Sequence, residues 1–306
     1  MSLNFASSWS DPSLLASLLF IPLLLLSIRK AISKNTMLPP SPRKLPFIGN
    51  LHQLGSLPHR SLHALSKKHG PLMLLQLGQV PTLVISSSNV ALDIMKAHDA
   101  IFASRPPIKV ARILLFGGLN LSFAPYGEYW KKLKKLYVNH LMSPKTVQSF
   151  LCVREEAVAS MISKISMASS SRGLLDVTDV LNSFAMKIIC RATLGKSYTE
   201  EKNKLFCELT KENITILGKL CVEDCFPWLG WLDMFFGLER RARKNSKRWE
   251  AVFDQVIDEH ASRLKDMDYV PENKDFVDVL LNLVQDPSVD LDINRDLIKI
   301  LMMVLI

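Results

Sequence analysis

Along most of the chain, apolar residues recur every three or four positions. From about residue 125 onward that spacing is nearly unbroken. It predicts helices over 127–141, 144–168, 177–194, 200–218, 234–266, 274–285 and 293–306. Residues 58–69 read as a short amphipathic helix stopped by Gly70-Pro71. The runs LMLLQLG and TLVIS, around Gly78-Gln-Val-Pro81, have the form of a hairpin. SNVALDIMKAHD returns to helical spacing behind a Ser-Asn cap. Residues 103–125 (ASRPPIKVARILLFGGLNLSFAP) are the least regular stretch, expected to form a mobile apolar loop lining a pocket. The predicted fold class is mainly α with a small β-sheet, and no repeat period is present.

The N-terminus follows a different pattern. Residues 12–28 (PSLLASLLFIPLLLLSI) contain no charge, a run at the short end of the roughly 17–25 residues of a membrane-spanning helix. Asp11 precedes the run, and Arg29, Lys30 and Lys34 follow it. The positive-inside rule then places everything after residue 30 in the cytosol. A cleaved signal peptide would need a basic stretch before the apolar core, and none is present. The expected organisation is an N-terminal transmembrane anchor (1–30), a stiff hinge rich in Pro39, Pro40, Pro42 and Pro46 (31–57), and a helical body (58–306).

Composition narrows the classes. The chain has 306 residues, 48% of them hydrophobic, which suffices for a large core and excludes a disordered chain. A net charge of +9 suits nucleic acid, an anionic membrane or an acidic protein. Nucleic acid is the weakest of these, because aromatic residues do not interleave with the lysines as base stacking requires. The five cysteines (Cys152, Cys190, Cys207, Cys221 and Cys225) are odd in number and sit mostly in helical runs, which reads as reduced thiols. Cys221 and Cys225, like His59 and His63, are four apart but lack further ligands nearby, so no metal site is expected. Asn120-Leu-Ser122 and Asn213-Ile-Thr215 match the N-glycosylation pattern.

Candidate chemistry concentrates in YGEYWKKLKKLY, residues 126–137. On a helix, Trp130, Leu133, Lys134 and Tyr137 share one face, while Lys131, Lys132 and Lys135 point elsewhere. An inward Trp N–H beside an inward ammonium suggests an anion held between them.

Several stretches together resemble a known family. The anchor, PPSPRKLPFIGNLHQLG, FASRPP, FAPYGEYWKKLKK, FPWLGWLD and DFVDVLLNL occur in the order and at the spacing of plant microsomal cytochromes P450, haem-thiolate monooxygenases of the 71 family. The resemblance implies a haem b cofactor. Trp130 and Lys134 would bind its propionates, and Arg105 would be a third partner. Lysine at the second position keeps the charge but loses the bidentate fork of an arginine. The 103–125 stretch would cover the distal haem face, with Phe116, Leu119, Leu121 and Phe123 as substrate contacts, joined by Ile214 and Leu217. Lys131, Lys132 and Lys135 would steer the acidic surface of an NADPH-cytochrome reductase. The implied activity is oxygenation of an apolar plant specialised metabolite by an endoplasmic-reticulum enzyme whose body faces the cytosol.

The family's axial ligand is a cysteine in F-x-x-G-x-R-x-C-x-G, and none of the five cysteines has such surroundings. INRDLIKILMMVLI resembles the start of the family's long central helix, with Val304 where an acidic residue is common. No distal acid–threonine pair follows. The expectation is an N-terminal fragment that, as given, neither ligates haem by thiolate nor oxygenates. The alternative is a membrane-anchored helical remnant without haem.

Overall fold

The computed structural model describes residues 38–171, 173–195, 199–264, 275–284, 286–287 and 289–305, which fall into two compact units. One comprises the described residues up to Gln76 together with Pro81–Val90, the other Leu77–Val80 and the residues from Ala91 on. The predicted anchor and the first part of the predicted hinge lie outside the described residues. Among the described residues, no helix is long and apolar enough to cross a membrane.

In the first unit, helix α1 (Pro58–His69) starts on a proline and stops at Gly70, whose φ of 103° suits glycine. Strands β1 (Leu72–Leu77) and β2 (Val80–Ile85) form the predicted two-stranded sheet. Alternation along β1 buries Met73 and Leu75 completely. The proline-rich segment was expected to be a stiff extended spacer. From residue 38 it is instead stitched to β1. The Leu74 N–H donates to the Pro40 carbonyl (2.9 Å), and the fully buried Asn50 exchanges bonds with the Gln76 backbone (2.6 and 2.8 Å). Gly49, with φ 61°, lies so close that a Cβ would run into the Gln76 carbonyl.

After β2 the described residues are mostly helical. Short helices come first: α2 (Ser88–Leu92), prolonged by a π-turn over Asp93–Ala97, α3 (Asp99–Phe102) and α4 (Lys109–Leu114). Then follow α5 (Glu128–Leu136), α6 (Pro144–Ser149), α7 (Leu151–Ser170), α8 (Val177–Leu194) and α9 (Glu200–Leu217). The chain ends with α10 (Val222–Cys225), α11 (Asp233–Phe236), α12 (Leu238–Leu264), α13 (Phe276–Leu283) and α14 (Arg295–Leu305). Caps explain the long starts. Asp176 accepts from the Thr178 and Asp179 N–H groups, Thr199 from Lys202, and Asp275 and Asp278 form a reciprocal capping box.

α12, 27 residues long, organises the core. Its stripe of Trp249, Phe253, Val256 and Ile257 is buried. Trp249 meets Phe206 of α9 edge-on at 5.1 Å between ring centroids, and Phe253 meets Phe116 at 6.2 Å. α14 is buried almost all round, and its polar exceptions pair with α12. Arg295 binds Asp254 and Asp258 (2.7 Å each), and Lys299 binds Asp254 (2.9 Å).

Four predicted boundaries change. The 127–141 helix widens into a π-turn over Tyr137–Leu141, where the Tyr137 hydroxyl donates to the Leu301 carbonyl (2.6 Å). The 144–168 helix is broken at Phe150, whose ψ of 16° leaves the α region. α12 starts only after left-handed Gly237. The stretch 103–125 is not an irregular loop throughout, because α4 lies within it and buries Val110, Ala111 and Leu114 against α12. Six residues are too few for a period to show against the surrounding prolines and glycines.

Candidate functional site

α5 starts behind Gly127 and carries Trp130 and the lysine block. Its inward side chains are Leu133 and Leu136, followed by Tyr137 in the π-turn. The expected inward pair of Trp130 and Lys134 is therefore corrected. Trp130 is half-buried at the flank of the helix, and Lys134 is exposed. The Trp130 N–H does not wait for an anion, because it donates to the Leu121 carbonyl at 3.0 Å. The two residues nonetheless meet. The Lys134 ammonium lies 5.0 Å from the Trp130 ring centroid, and the Tyr126 ring packs against Trp130 at 5.5 Å between centroids. Lys134 makes no ion pair among the described residues, so its N–H donors face solvent. Arg105 is likewise exposed and forms no ion pair among them.

The three outward lysines are exposed as expected, but they are not a bare patch. Lys131 pairs with Glu128 (2.8 Å), and Lys132 with Asp290 (2.8 Å). These bonds hold the Glu128 and Asp290 carboxyls below their ordinary range and raise the Lys131 ammonium. Lys135 has no ion pair among the described residues.

The six apolar candidates divide in two. Phe116, Leu121, Phe123 and Leu217 are half-buried and pack on the core cluster. Leu119 and Ile214 are 48% and 67% exposed. Phe116 sits at φ 48°, a left-handed conformation that is rare for an aromatic residue. The Leu119 carbonyl is held by the Tyr129 hydroxyl (2.8 Å), and the Leu121 carbonyl by Trp130, so α5 carries the backbone of the 116–123 segment directly.

The cysteines are all free thiols. Burial pushes Cys190 and Cys221 up to about 12 and also raises Cys207 and Cys225. Cys152 alone is exposed. Cys221 caps the single turn of α10, and Cys225 is its last residue. The glycosylation candidates are structural. Asn120 is 2% exposed and its side chain accepts from the Phe123 N–H. Asn213 is bonded to Asn245 (2.7 Å) between α9 and α12.

Two polar clusters escaped the sequence. His260, Asp275 and Asp278 gather within 4.8 Å, all buried, and are the only such His/Cys/Asp/Glu group among the described residues. His260 Nε2 and Asp275 Oδ2 stand 2.9 Å apart, in direct hydrogen-bond contact. The readable signal was the capping-box spacing of Asp275 and Asp278 before an apolar run. The second cluster surrounds Lys109, a single lysine in an apolar stretch that carries no motif.

Known proteins place this geometry. The cytochrome P450 family model matches residues 39–306. The chain belongs to the cytochrome P450 family. Among curated relatives, cytochrome P450 71A9 of Glycine max is 45% identical over 287 residues, 92% of this chain and 56% of that protein. Desmethylyatein synthase of Sinopodophyllum hexandrum is 40% identical, covering 92% of this chain and 56% of that protein. Phenylacetaldehyde oxime monooxygenase CYP71AN24 of Prunus mume is 38% identical, covering 96% and 59%. The chain thus spans somewhat over half the length of these relatives. A zebra fish cytochrome P450 solved with progesterone superposes with a TM-score of 0.59 at 21% identity, over 80% of this chain and 54% of that one, and shows the shared fold. Cytochromes P450 are haem-dependent monooxygenases, so the donors on α5 can be tested against a haem. Lys134 and Arg105 fit as cations without carboxylate partners. The Trp130 N–H is already engaged by Leu121.

Proposed function

We propose that this chain forms the haem-edge and substrate-covering part of a cytochrome P450 that hydroxylates an apolar plant specialised metabolite, using O2 and electrons drawn from NADPH through a reductase. The observation that carries the reading is Lys134, stacked 5.0 Å over Trp130 with its ammonium unpaired among the described residues. Bound haem supplies activation of O2 at its iron, favoured in this family by a thiolate ligand. The residues of this chain do three other jobs. Lys134 and Arg105 hold the carboxylate edge of the cofactor by charge, and Trp130 is the platform that orients Lys134. Phe116, Leu121, Phe123 and Leu217 form an apolar wall, with Leu119 and Ile214 on its exposed margin. Lys131, Lys132 and Lys135 steer an acidic reductase surface. The Lys131 and Lys132 pairs are exposed, so solvent screens them and they open readily. The leucine-rich run at residues 12–28 anchors the protein in the endoplasmic reticulum membrane with the body in the cytosol.

A second reading concerns this chain by itself, as a helical remnant without catalysis. It is favoured by the cysteines, since Cys190, Cys221 and Cys225 are buried and present no accessible thiol to an iron. Titrating the purified chain with hemin tests both readings. Lys134→Met combined with Arg105→Met is expected to weaken hemin binding about tenfold, the effect of roughly 1.4 kcal/mol of lost charge-assisted bonding. The reduced carbon-monoxide spectrum is expected to lack a thiolate-type Soret band. Unchanged hemin affinity in the double variant would sink the haem-edge assignment, and a thiolate-type band would sink the remnant reading.

A further inference from the structure

Lys109, the first residue of α4, reaches across more than a hundred residues of sequence. Its ammonium lies 3.0 Å from the Gly230 carbonyl, 3.1 Å from Glu223, 3.3 Å from Asp233 and 3.3 Å from Glu239. Its backbone N–H donates to Asp224 (3.0 Å). Every partner belongs to residues 223–239, which span α10, the turn Pro227–Leu232, α11 and the first turn of α12. Four acceptors around three N–H donors leave the ammonium saturated. The charges also close. Arg112 binds Glu223 and Arg243 binds Glu239, so three cations face Glu223, Asp233 and Glu239. Burial pulls the Lys109 ammonium down, but the carboxylates outweigh it and hold it well above its ordinary value.

The rest of the 227–236 segment has almost no other hold. Trp228, Trp231, Phe235 and Phe236 are 59–73% exposed. Asp233, 3% exposed, is the only buried residue between Pro227 and Phe236, and it accepts from the Val222 (2.7 Å) and Glu223 (3.2 Å) N–H groups beside the lysine. The segment is therefore fixed by charge and hydrogen bonds rather than by apolar packing. α4 differs: its Val110, Ala111 and Leu114 are anchored in the core against α12. α4 also runs directly into Phe116, Leu121 and Phe123, and the 222–239 segment directly follows Ile214 and Leu217. One side chain thus ties together the two stretches that flank the apolar wall.

We propose that Lys109 is a positioning residue, a clasp whose closure holds the 222–239 segment against α4, the helix that leads into the apolar wall, and whose opening frees that segment without unfolding the body. The clasp's role towards an apolar ligand rests on the reading of Phe116, Leu121, Phe123 and Leu217 as that wall. The clasp itself rests on the contacts above.

Hydrogen exchange followed by mass spectrometry on the purified chain tests it. In Lys109→Met, amides of 222–236 are expected to exchange at least about tenfold faster, with 177–194 and 276–283 unchanged. Lys109→Arg keeps the charge and is expected to retain most of the protection. Asp233→Asn, which weakens the clasp from the other side at constant size, is expected to release the same segment, and covers the case in which Lys109→Met fails to fold. Unchanged exchange at 222–236 in Asp233→Asn would overturn the proposal. So would a loss of protection spread evenly over the chain, which would make Lys109 a general support of the fold. The readout involves no haem, so failure of the hemin titration would leave it standing.

Discussion

The buried His260–Asp275 contact makes the stability of this fold fall as the pH rises above neutral. The Nδ1 of His260 faces the Val256 carbonyl at 2.7 Å, and a carbonyl only accepts, so Nδ1 carries a proton. Nε2 faces an Asp275 carboxylate oxygen at 2.9 Å, and that contact needs a proton as well. Burial lowers the His260 pKa, but the Asp275 hydrogen bond and charge outweigh it, so the imidazole stands above its ordinary value. A raised folded pKa means that the stabilisation is complete below about pH 6.5, the unfolded value, and is lost as pH rises through the folded one. Once Nε2 is bare, two acceptors face each other in the interior, where His260 is 0% exposed. Each unit by which the folded pKa exceeds the unfolded one is worth about 1.4 kcal/mol of stability, and for a chain of 306 residues that moves the melting temperature by roughly 2 °C. The assay is thermal unfolding by circular dichroism from pH 5 to 9 for the unaltered chain and His260→Gln. The variant is expected to melt lower at pH 6 and to lose the fall in stability above neutral pH. Asp278 also stands above its ordinary range, through burial and then the Asp275 charge, but its limb lies at lower pH and survives in the variant. If His260→Gln keeps the same alkaline limb as the unaltered chain, the shared-proton reasoning is refuted.

Other expectations are simpler. Tyr137→Phe removes the 2.6 Å bond to the Leu301 carbonyl and should destabilise the fold by about 1–3 kcal/mol in denaturant titration, because a buried carbonyl loses a donor. Gly195→Ala should cost more than about 1 kcal/mol in the same assay, since Gly195 has φ 49° and a Cβ would run into the Asp275 carboxylate. Phe253→Ala should cost about 3–5 kcal/mol, because the ring is fully buried between Trp249 and Phe116. In a secretory expression host, Asn120 and Asn213 should stay unmodified, with no mass change on endoglycosidase treatment, because both amides are buried and bonded.

The helices were legible because each turns an apolar stripe of three or more turns towards the core. α8 and α9 have their predicted bounds to within a residue, and the caps at Asp176 and Thr199 explain why. α4 was not legible, because six residues between Pro-Pro and Gly-Gly show barely two turns of any pattern. Its identity is set by long-range packing, with Val110 and Leu114 meeting α12 more than a hundred residues away. Lys109 was invisible for a related reason. A single lysine has meaning only when Glu223, Asp233 and Glu239 arrive beside it, and nothing local announces them. His260 and Asp275 were half legible: the cap could be read before the apolar run, its histidine partner could not.

The lysine block shows how a helix face can be misplaced by one residue. At 3.6 residues per turn, successive side chains are about 100° apart. Counting Trp130, Leu133, Lys134 and Tyr137 as the inner face ignores Leu136, which is 3% exposed. The three residues that are buried, Leu133, Leu136 and Tyr137, put the centre of the face roughly 60° away. Trp130 then sits about 70° from that centre and Lys134 about 110°, which is where the structure has them, one half-buried and the other exposed. The rotation changes the chemistry more than the assignment. Buried, Lys134 would need an anion to exist at all. At the flank, it is stable over the Trp130 ring and keeps its donors free. A cation on the flank can therefore receive a carboxylate from outside the helix bundle without first giving one up, which is what holding the edge of a cofactor requires.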